Sequence, residues 1–111
     1  EAEIIDDGED KYAQIKNVRI VISTEMEGHV KVMIRPEDII LSAGTFISSA
    51  RNMLKGGVTN IVAEDTSARI FLDVGIPMCA RITKRSLDNM NIKKGDILYA
   101  VFKTMSVRII K

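Results

Sequence analysis

The sequence predicts an all-β protein, an OB-like small β-barrel carrying one short helix. Three observations lead there. Apolar residues alternate with polar ones in five separate stripes, the two-residue period of a half-buried strand. Gly, Pro and Asp turn signals punctuate the chain between those stripes. Hydrophobic residues make up 46% of the 111 while aromatics reach only 5%, with no Trp, so the interior must be built from Ile, Val, Leu and Met. A chain of this length is one ordinary domain, or two small subdomains sharing a core.

The first residues, Glu1 to Gly8, lack an initiator Met and open directly in a strand-like pattern. They are expected to be the cut end of a piece of a longer polypeptide. Val18, Ile20 and Ile22 then face one way, with Arg19 and Val21 opposite. Val30, Val32 and Ile34 alternate in the same manner against Lys31, Met33 and Arg35. Asp7-Gly8 and Glu27-Gly28 supply the turns around them. Ile34-Arg35-Pro36-Glu37-Asp38-Ile39 closes the first half, and the composition changes near Ser42-Ala43-Gly44-Thr45. That change divides the chain into an N-terminal OB-like β segment, residues 1–46, and a β-barrel subdomain, residues 47–111. The first segment is too short to close a good barrel unaided, so it should borrow strands from the second half or from another copy.

In the second half, Gly56-Gly57 reads as a turn. Ile70, Leu72 and Val74 form the next stripe, then Met78, Ala80 and Ile82, and last Leu98, Ala100 and Phe102. Gly75-Ile76-Pro77 and Lys94-Gly95-Asp96 separate them. Pro77 has no N–H to give a ladder, so it marks a strand start or a hairpin corner. Only one segment reads as helix. Thr83 caps it, Ser86 is its third residue, Leu87 and Met90 pack inward, and it ends near Asn91.

Composition excludes several functions. Sixteen basic and fifteen acidic residues leave a net charge of +1, which exerts no long-range pull on nucleic acid. Tyr12, Phe46, Phe71, Tyr99 and Phe102 are too scattered for a base-stacking platform, and Lys84-Arg85 reads as a solvated face. No nucleic-acid partner is expected. A single cysteine, Cys79, forbids an internal disulfide and reads as a small strand residue. No pair is spaced for zinc, so neither a metal nor a cofactor is expected. His29 beside Gly28 reads as a turn histidine, with no Ser, Cys or Asp constellation for nucleophilic catalysis. The chain carries no Gly-x-x-x-x-Gly-Lys-Ser/Thr stretch, hence no P-loop, and it is not expected to be an enzyme. No apolar run approaches the ~20 residues that cross a bilayer, and no signal-peptide pattern opens the chain. A cytoplasmic location is expected.

Three short motifs carry the chemistry: Ser49-Ala50-Arg51-Asn52, Ile82-Thr83-Lys84-Arg85-Ser86-Leu87, and Phe102-Lys103-Thr104. None contains a carboxylate. A tetrahedral dianion offers only acceptors, so its site needs cations, hydroxyls and backbone N–H groups. Arg51 and Lys103 are the candidate charged contacts, and Ser49, Thr83, Ser86 and Thr104 the candidate hydroxyls. Each has an ordinary alternative. Arg51 alone is a surface arginine on a strand, Thr83 and Ser86 alone are a helix cap, and Lys103 alone is a solvated lysine at a sheet rim. A donor-only pocket also penalises phosphate, which near neutral pH carries a proton that must be given to an acceptor. Sulfate carries none, so its rejection would rest on pocket size. The ordered set points to oxyanion binding.

From Ser49 to Ile110 the chain resembles the Mop or molbindin family, a type of TOBE domain. The matching residues are Ser49-Ala50-Arg51-Asn52, Leu54, Gly56-x-Val58, Leu72-Asp73-Val74-Gly75, Ile82-Thr83-x-x-Ser86, Gly95-Asp96, Tyr99-Ala100, Lys103 and Ser106-Val107. The earlier Ile34-Arg35-Pro36-Glu37-Asp38-Ile39 is similar to the segment that many ABC-importer ATPase subunits carry after their nucleotide-binding domain. Together these resemble the C-terminal regulatory region of a molybdate/tungstate ABC transporter ATP-binding subunit, without its ATPase part. The resemblance implies an OB-like barrel that pairs as a strand-exchanged homodimer and holds molybdate or tungstate at the subunit interface. Ser49 and Arg51 would lie on one side, Thr83 and Ser86 on another, with Lys103 and the backbone near it. Metal would enter only as oxyanion. Where relatives commonly carry Ala then Thr after the lysine, this chain has Thr104 and Met105, and the bulkier Thr104 side chain either adds a donor or crowds the pocket. The implied function is to sense the anion and inhibit transport. The implied partners are a second copy and, through the parent ATPase, a membrane permease subunit, at the cytoplasmic periphery of the membrane. The alternatives are a ligand-independent dimerisation and docking module of an ABC ATPase importing another substrate, a free-standing molybdenum-binding storage protein, and an OB-type single-strand binder.

Overall fold

The computed structural model describes residues 1–111. Ten strands run in chain order: β1 (Ala2–Asp6), β2 (Lys11–Ile15), β3 (Val18–Ile22), β4 (His29–Met33), β5 (Ile40–Ser42), β6 (Asn52–Ala63), β7 (Ser67–Asp73), β8 (Pro77–Thr83), β9 (Ile97–Phe102) and β10 (Arg108–Ile110). The one α-helix, α1 (Lys84–Met90), follows β8, and short 3-10 turns occupy Pro36–Asp38 and Thr104–Ser106. The strands form two five-stranded sheets, ordered β10-β4-β1-β2-β3 and β5-β9-β6-β7-β8. Every pairing is antiparallel. The expected all-β architecture with one short helix is what the chain adopts.

The stripes read from the sequence are the buried faces. Val18, Ile20 and Ile22 of β3 are buried, as are Ile70 and Leu72 of β7, Ala80 of β8, and Leu98, Ala100 and Phe102 of β9. These side chains join Val30, Ile39 and Leu41 in one continuous core that runs through both sheets. The two sheets also exchange chain ends. β10, the last strand, pairs with β4 in the first sheet, while β5 pairs with β9 in the second. β5 and β8 are the free edges of the second sheet, and each leaves a row of backbone groups without a ladder partner on one side.

Gly56-Gly57 is not a turn. Both glycines lie inside β6, a strand of twelve residues. A Cβ at Gly56 would fall on the Asp73 carbonyl oxygen and 2.6 Å from Val74 Cγ1. The glycine therefore permits close approach of the β7 end rather than a chain reversal. Beyond it the β6–β7 register shifts between Val58 and Asn60, a bulge that bends the long strand. Helix α1 follows expectation at both ends. Thr83 Oγ1 accepts from the Ser86 N–H at 3.1 Å, and Asn91 closes the helix in a left-handed conformation at φ 50°. Leu87 packs against the core, but Met90, in the last turn, is 37% exposed and lines a cleft beside β5 and β8 rather than entering the core.

Asn52, at the start of β6, is 2% exposed, the sole buried polar residue. Its side chain accepts from Val21 N at 2.8 Å and donates to Val21 O at 3.0 Å. This one amide thus serves as a rung between the two sheets. Replacing it strands a donor and an acceptor in a half-buried seam, each costing about 1–3 kcal/mol in full burial. Asn52→Ala is expected to lower unfolding free energy by about 2–3 kcal/mol in urea titrations; a loss under ~0.5 kcal/mol would mean that water fully replaces the amide.

Candidate oxyanion-binding site

The candidate donors fall into two groups. Arg51 immediately precedes β6, and Lys103 immediately follows β9. Since Asn52 is the register partner of Phe102, the two cations emerge side by side from the same end of one ladder. Thr104 lines a cleft of about 340 Å³ together with Arg51, Glu9, Asp10 and Lys11. Ser49, two residues upstream of Arg51, is exposed and lines neither this cleft nor the next.

Thr83 and Ser86 lie elsewhere. Thr83 ends β8 as the register partner of Ser67, which begins β7 beside the far end of β6. Twelve residues of β6 lie between this end and Arg51 along the chain, a path of roughly 40 Å if fully extended. Here a second cleft, about 420 Å³, opens between the edge strands β5 and β8. Its polar lining is Thr66, Ser67, Arg81, Thr83, Ser86 and Glu37. The Thr83 hydroxyl donates to Ser86 Oγ at 3.1 Å while accepting from the Ser86 N–H. The Ser86 proton is then the one left to donate outward, polarised by the bond its oxygen accepts.

A single chain therefore places the candidate donors in two separate groups, here termed half-sites for the site proposed below. One holds Arg51, Lys103 and Thr104; the other holds Thr83 and Ser86. Sequence reasoning passed over two residues at these places. Arg81 stands two residues before Thr83 on the same face of β8, a position that the alternation of Met78, Ala80 and Ile82 already implied. Its Nε donates to Ser67 Oγ at 3.3 Å. Asp10 gave no such signal.

Asp10 changes the electrostatics of the first half-site. Arg51 Nη1 donates to Asp10 Oδ1 and Nη2 to Asp10 Oδ2, both at 2.8 Å, the bidentate fork of guanidinium on carboxylate. The motifs contain no carboxylate, but the fold brings one to them. The hydrogen bonds from Arg51 hold the Asp10 carboxyl below its usual range, and Asp10 in turn raises the guanidinium. Asp7 is also lowered, because the backbone N–H groups of Asp10 and Glu9 donate to it at 2.8 and 3.0 Å. Burial pushes the Cys79 thiol up. No group of three or more His, Cys, Asp or Glu residues is placed to hold a metal ion, and no helix is long and apolar enough to cross a membrane.

The family model of the TOBE domain matches residues 48–109, and the chain belongs to that family. The molybdate/tungstate import ATP-binding protein WtpC of Pyrococcus abyssi is 35% identical over 97 residues, 86% of this chain and 28% of that protein. The chain thus spans under a third of the length of that ATP-binding relative. Among solved structures, MopII from Clostridium pasteurianum, in an apo form, has 31% identity and a TM-score of 0.53, covering 59% of this chain and 100% of its own. The cytoplasmic molybdate-binding protein ModG, with molybdate bound, gives a TM-score of 0.71 at 23% identity, over 94% of this chain and 78% of its own. The ModG likeness is one of fold. Of these relatives, ModG is described as a molybdate-binding protein.

The two lowered carboxyls make stability depend on acid pH. Groups bound more weakly to protons in the folded than in the unfolded chain contribute stability above the ordinary carboxylate pKa of about 4, and lose it as pH falls through their lowered values. The thermal midpoint should therefore drop between about pH 5 and pH 3. Asp10→Asn removes one of the two groups and should flatten that drop; parallel curves for both proteins would show that the Arg51 pair contributes nothing in solution.

Proposed function

We propose that this chain is the oxyanion-binding regulatory part of an ATP-binding subunit of a molybdate/tungstate importer. Two copies pair and hold each anion between complementary half-sites. Arg51, Lys103, Ser49 and Thr104 of one copy supply charge and hydrogen bonds, and Thr83 and Ser86 of the other supply hydroxyls. Residues 47–111 carry the anion site, while residues 1–46 complete the barrel pair. The bound anion signals a replete cell, and the paired domains then inhibit transport by the parent ATPase at the cytoplasmic side of its permease.

The observation that carries this reading is the separation of the donors. Arg51 and Thr104 line one cleft while Thr83 and Ser86 line another, so no single cleft of this chain collects the whole donor set. Other features support pairing. Phe46 and Ile47, just before the Ser49 motif, are 45% and 103% exposed, and Ile40 on edge strand β5 is 58% exposed. A second copy is a natural cover for such apolar side chains beside an unpaired edge. The names of the relatives support the choice of anion, since both WtpC and ModG are described by molybdate. Chemistry agrees: charge-assisted hydrogen bonds contribute roughly 1.5–3 kcal/mol each, so a handful reaches sub-micromolar affinity after ordering costs.

A second reading has its own observation. Arg51 is satisfied by Asp10, and Thr83 with Ser86 by a helix cap, as expected of a docking module that binds no anion. Calorimetry with molybdate, tungstate, sulfate and phosphate separates the two. Heat with the metal oxyanions is expected, with Arg51→Ala weakening binding by at least ~1.5 kcal/mol. Native mass spectrometry should find a dimer carrying tungstate. A dimer whose mass and melting ignore every oxyanion would replace this proposal with the docking module.

A further inference from the structure

We propose that Asp10 is an internal counter-anion at Arg51, which a bound oxyanion must displace, so that ligand binding unfastens the β1–β2 turn from the second sheet. The inference rests on the oxyanion reading above and adds a residue outside every motif that led to it.

The geometry is specific. Both terminal nitrogens of Arg51 are engaged by the two oxygens of Asp10 at 2.8 Å, the face by which a guanidinium best receives a tetrahedral anion. Forty-one residues separate the pair in sequence, and it joins the turn between β1 and β2 to the start of β6. The carboxylate is also presented by an ordered loop. Asp7 N donates to Asp10 O at 3.1 Å, Asp10 N to Asp7 Oδ1 at 2.8 Å, and Gly8 N to Asp6 Oδ1 at 2.9 Å. Asp10 thus competes for Arg51 at a high effective concentration.

Charge gives the competition its direction. In the cleft, Glu9 and Asp10 face Lys11 and Arg51, two negative groups against two positive. A dianion entering beside an engaged Asp10 meets a like charge within a few ångströms, which offsets the attraction of Arg51, Lys11 and the neighbouring Lys103. Withdrawal of Asp10 exposes the guanidinium and removes that repulsion. The rest of the seam stays closed, because the Asn52 amide still bridges to Val21 and β10 remains paired with β4. What is released is local: the turn and its carboxylate. Anion occupancy is thereby transmitted to the first sheet, whose β2 begins at Lys11 directly after Asp10.

The test uses the 111-residue chain and sodium tungstate, with calorimetry and amide hydrogen exchange. Asp10→Asn, which keeps the side-chain shape, is expected to bind tungstate about tenfold tighter than the parent. In the Arg51→Ala background the same change should alter affinity by less than about threefold, since the two residues act through each other. Tungstate should speed exchange of the amides of residues 7–12 in the parent chain. In Asp10→Asn those amides should exchange quickly without ligand and change little with it. Equal or weaker affinity in Asp10→Asn, or slower exchange of the turn when tungstate binds the parent, overturns the proposal while leaving the oxyanion reading intact. Absence of tungstate binding in both proteins overturns the oxyanion reading, and this inference falls with it.

Discussion

One buried amide fixes how the two sheets meet. Asn52 contributes a donor and an acceptor to Val21, as a neighbouring strand would, and it has no solvent to fall back on. Val21 is in turn the register partner of Tyr12 on β2. Asp10 stands two residues before Tyr12 and Arg51 one residue before Asn52, so a chain of paired residues sets the guanidinium against the carboxylate. The same residue opens β6, whose register with β9 places Lys103 beside Arg51. Position of the amide, meeting of the sheets and make-up of the first half-site are therefore one constraint, imposed by a polar group that burial leaves no second way to satisfy.

Much of the fold was legible because its signals are local. Alternation along β3, β7 and β9 identified buried faces that packing then used, and a threonine three residues before a serine identified the helix start. Gly56-Gly57 was misleading for an equally physical reason. Two adjacent glycines announce that something forbids side chains, but a tight turn and a close crossing forbid them alike. Only the approach of Asp73 and Val74, seventeen residues downstream and beyond, decides between them. Met90 failed in a related way: helical spacing fixes the face a residue occupies, whereas the distance from that face to the core depends on where the short helix lands.

The site was legible residue by residue and illegible as an arrangement. Arg51, Thr83, Ser86, Lys103 and Thr104 all border clefts or strand ends, and the Thr83–Ser86 pair is hydrogen-bonded as the motif suggested. Ser49 lies exposed outside both clefts. The groups line different clefts, and which cleft a residue enters depends on how whole strands pair, which no motif contains. Asp10 was invisible for a stronger reason. Within the motifs the donors stand free of carboxylates. The turn that carries Asp10 belongs to another sheet and meets Arg51 only after both sheets have formed.

Donors that already have partners change what binding means. A ligand arriving at either half-site exchanges one set of hydrogen bonds for another, and an exchange yields less than a bond made to an empty group. Under the proposed two-copy arrangement, the deficit is met by convergence: cations from one copy and hydroxyls from the other reach the same anion, which neither copy could satisfy alone. A ligand that binds the pair far better than the single chain then stabilises the pair by mass action. Anion concentration becomes a population of paired domains, with the internal partners setting the concentration at which pairing begins. Under that arrangement, prior satisfaction of the donors would set the response, because donors left free would bind at lower anion concentration.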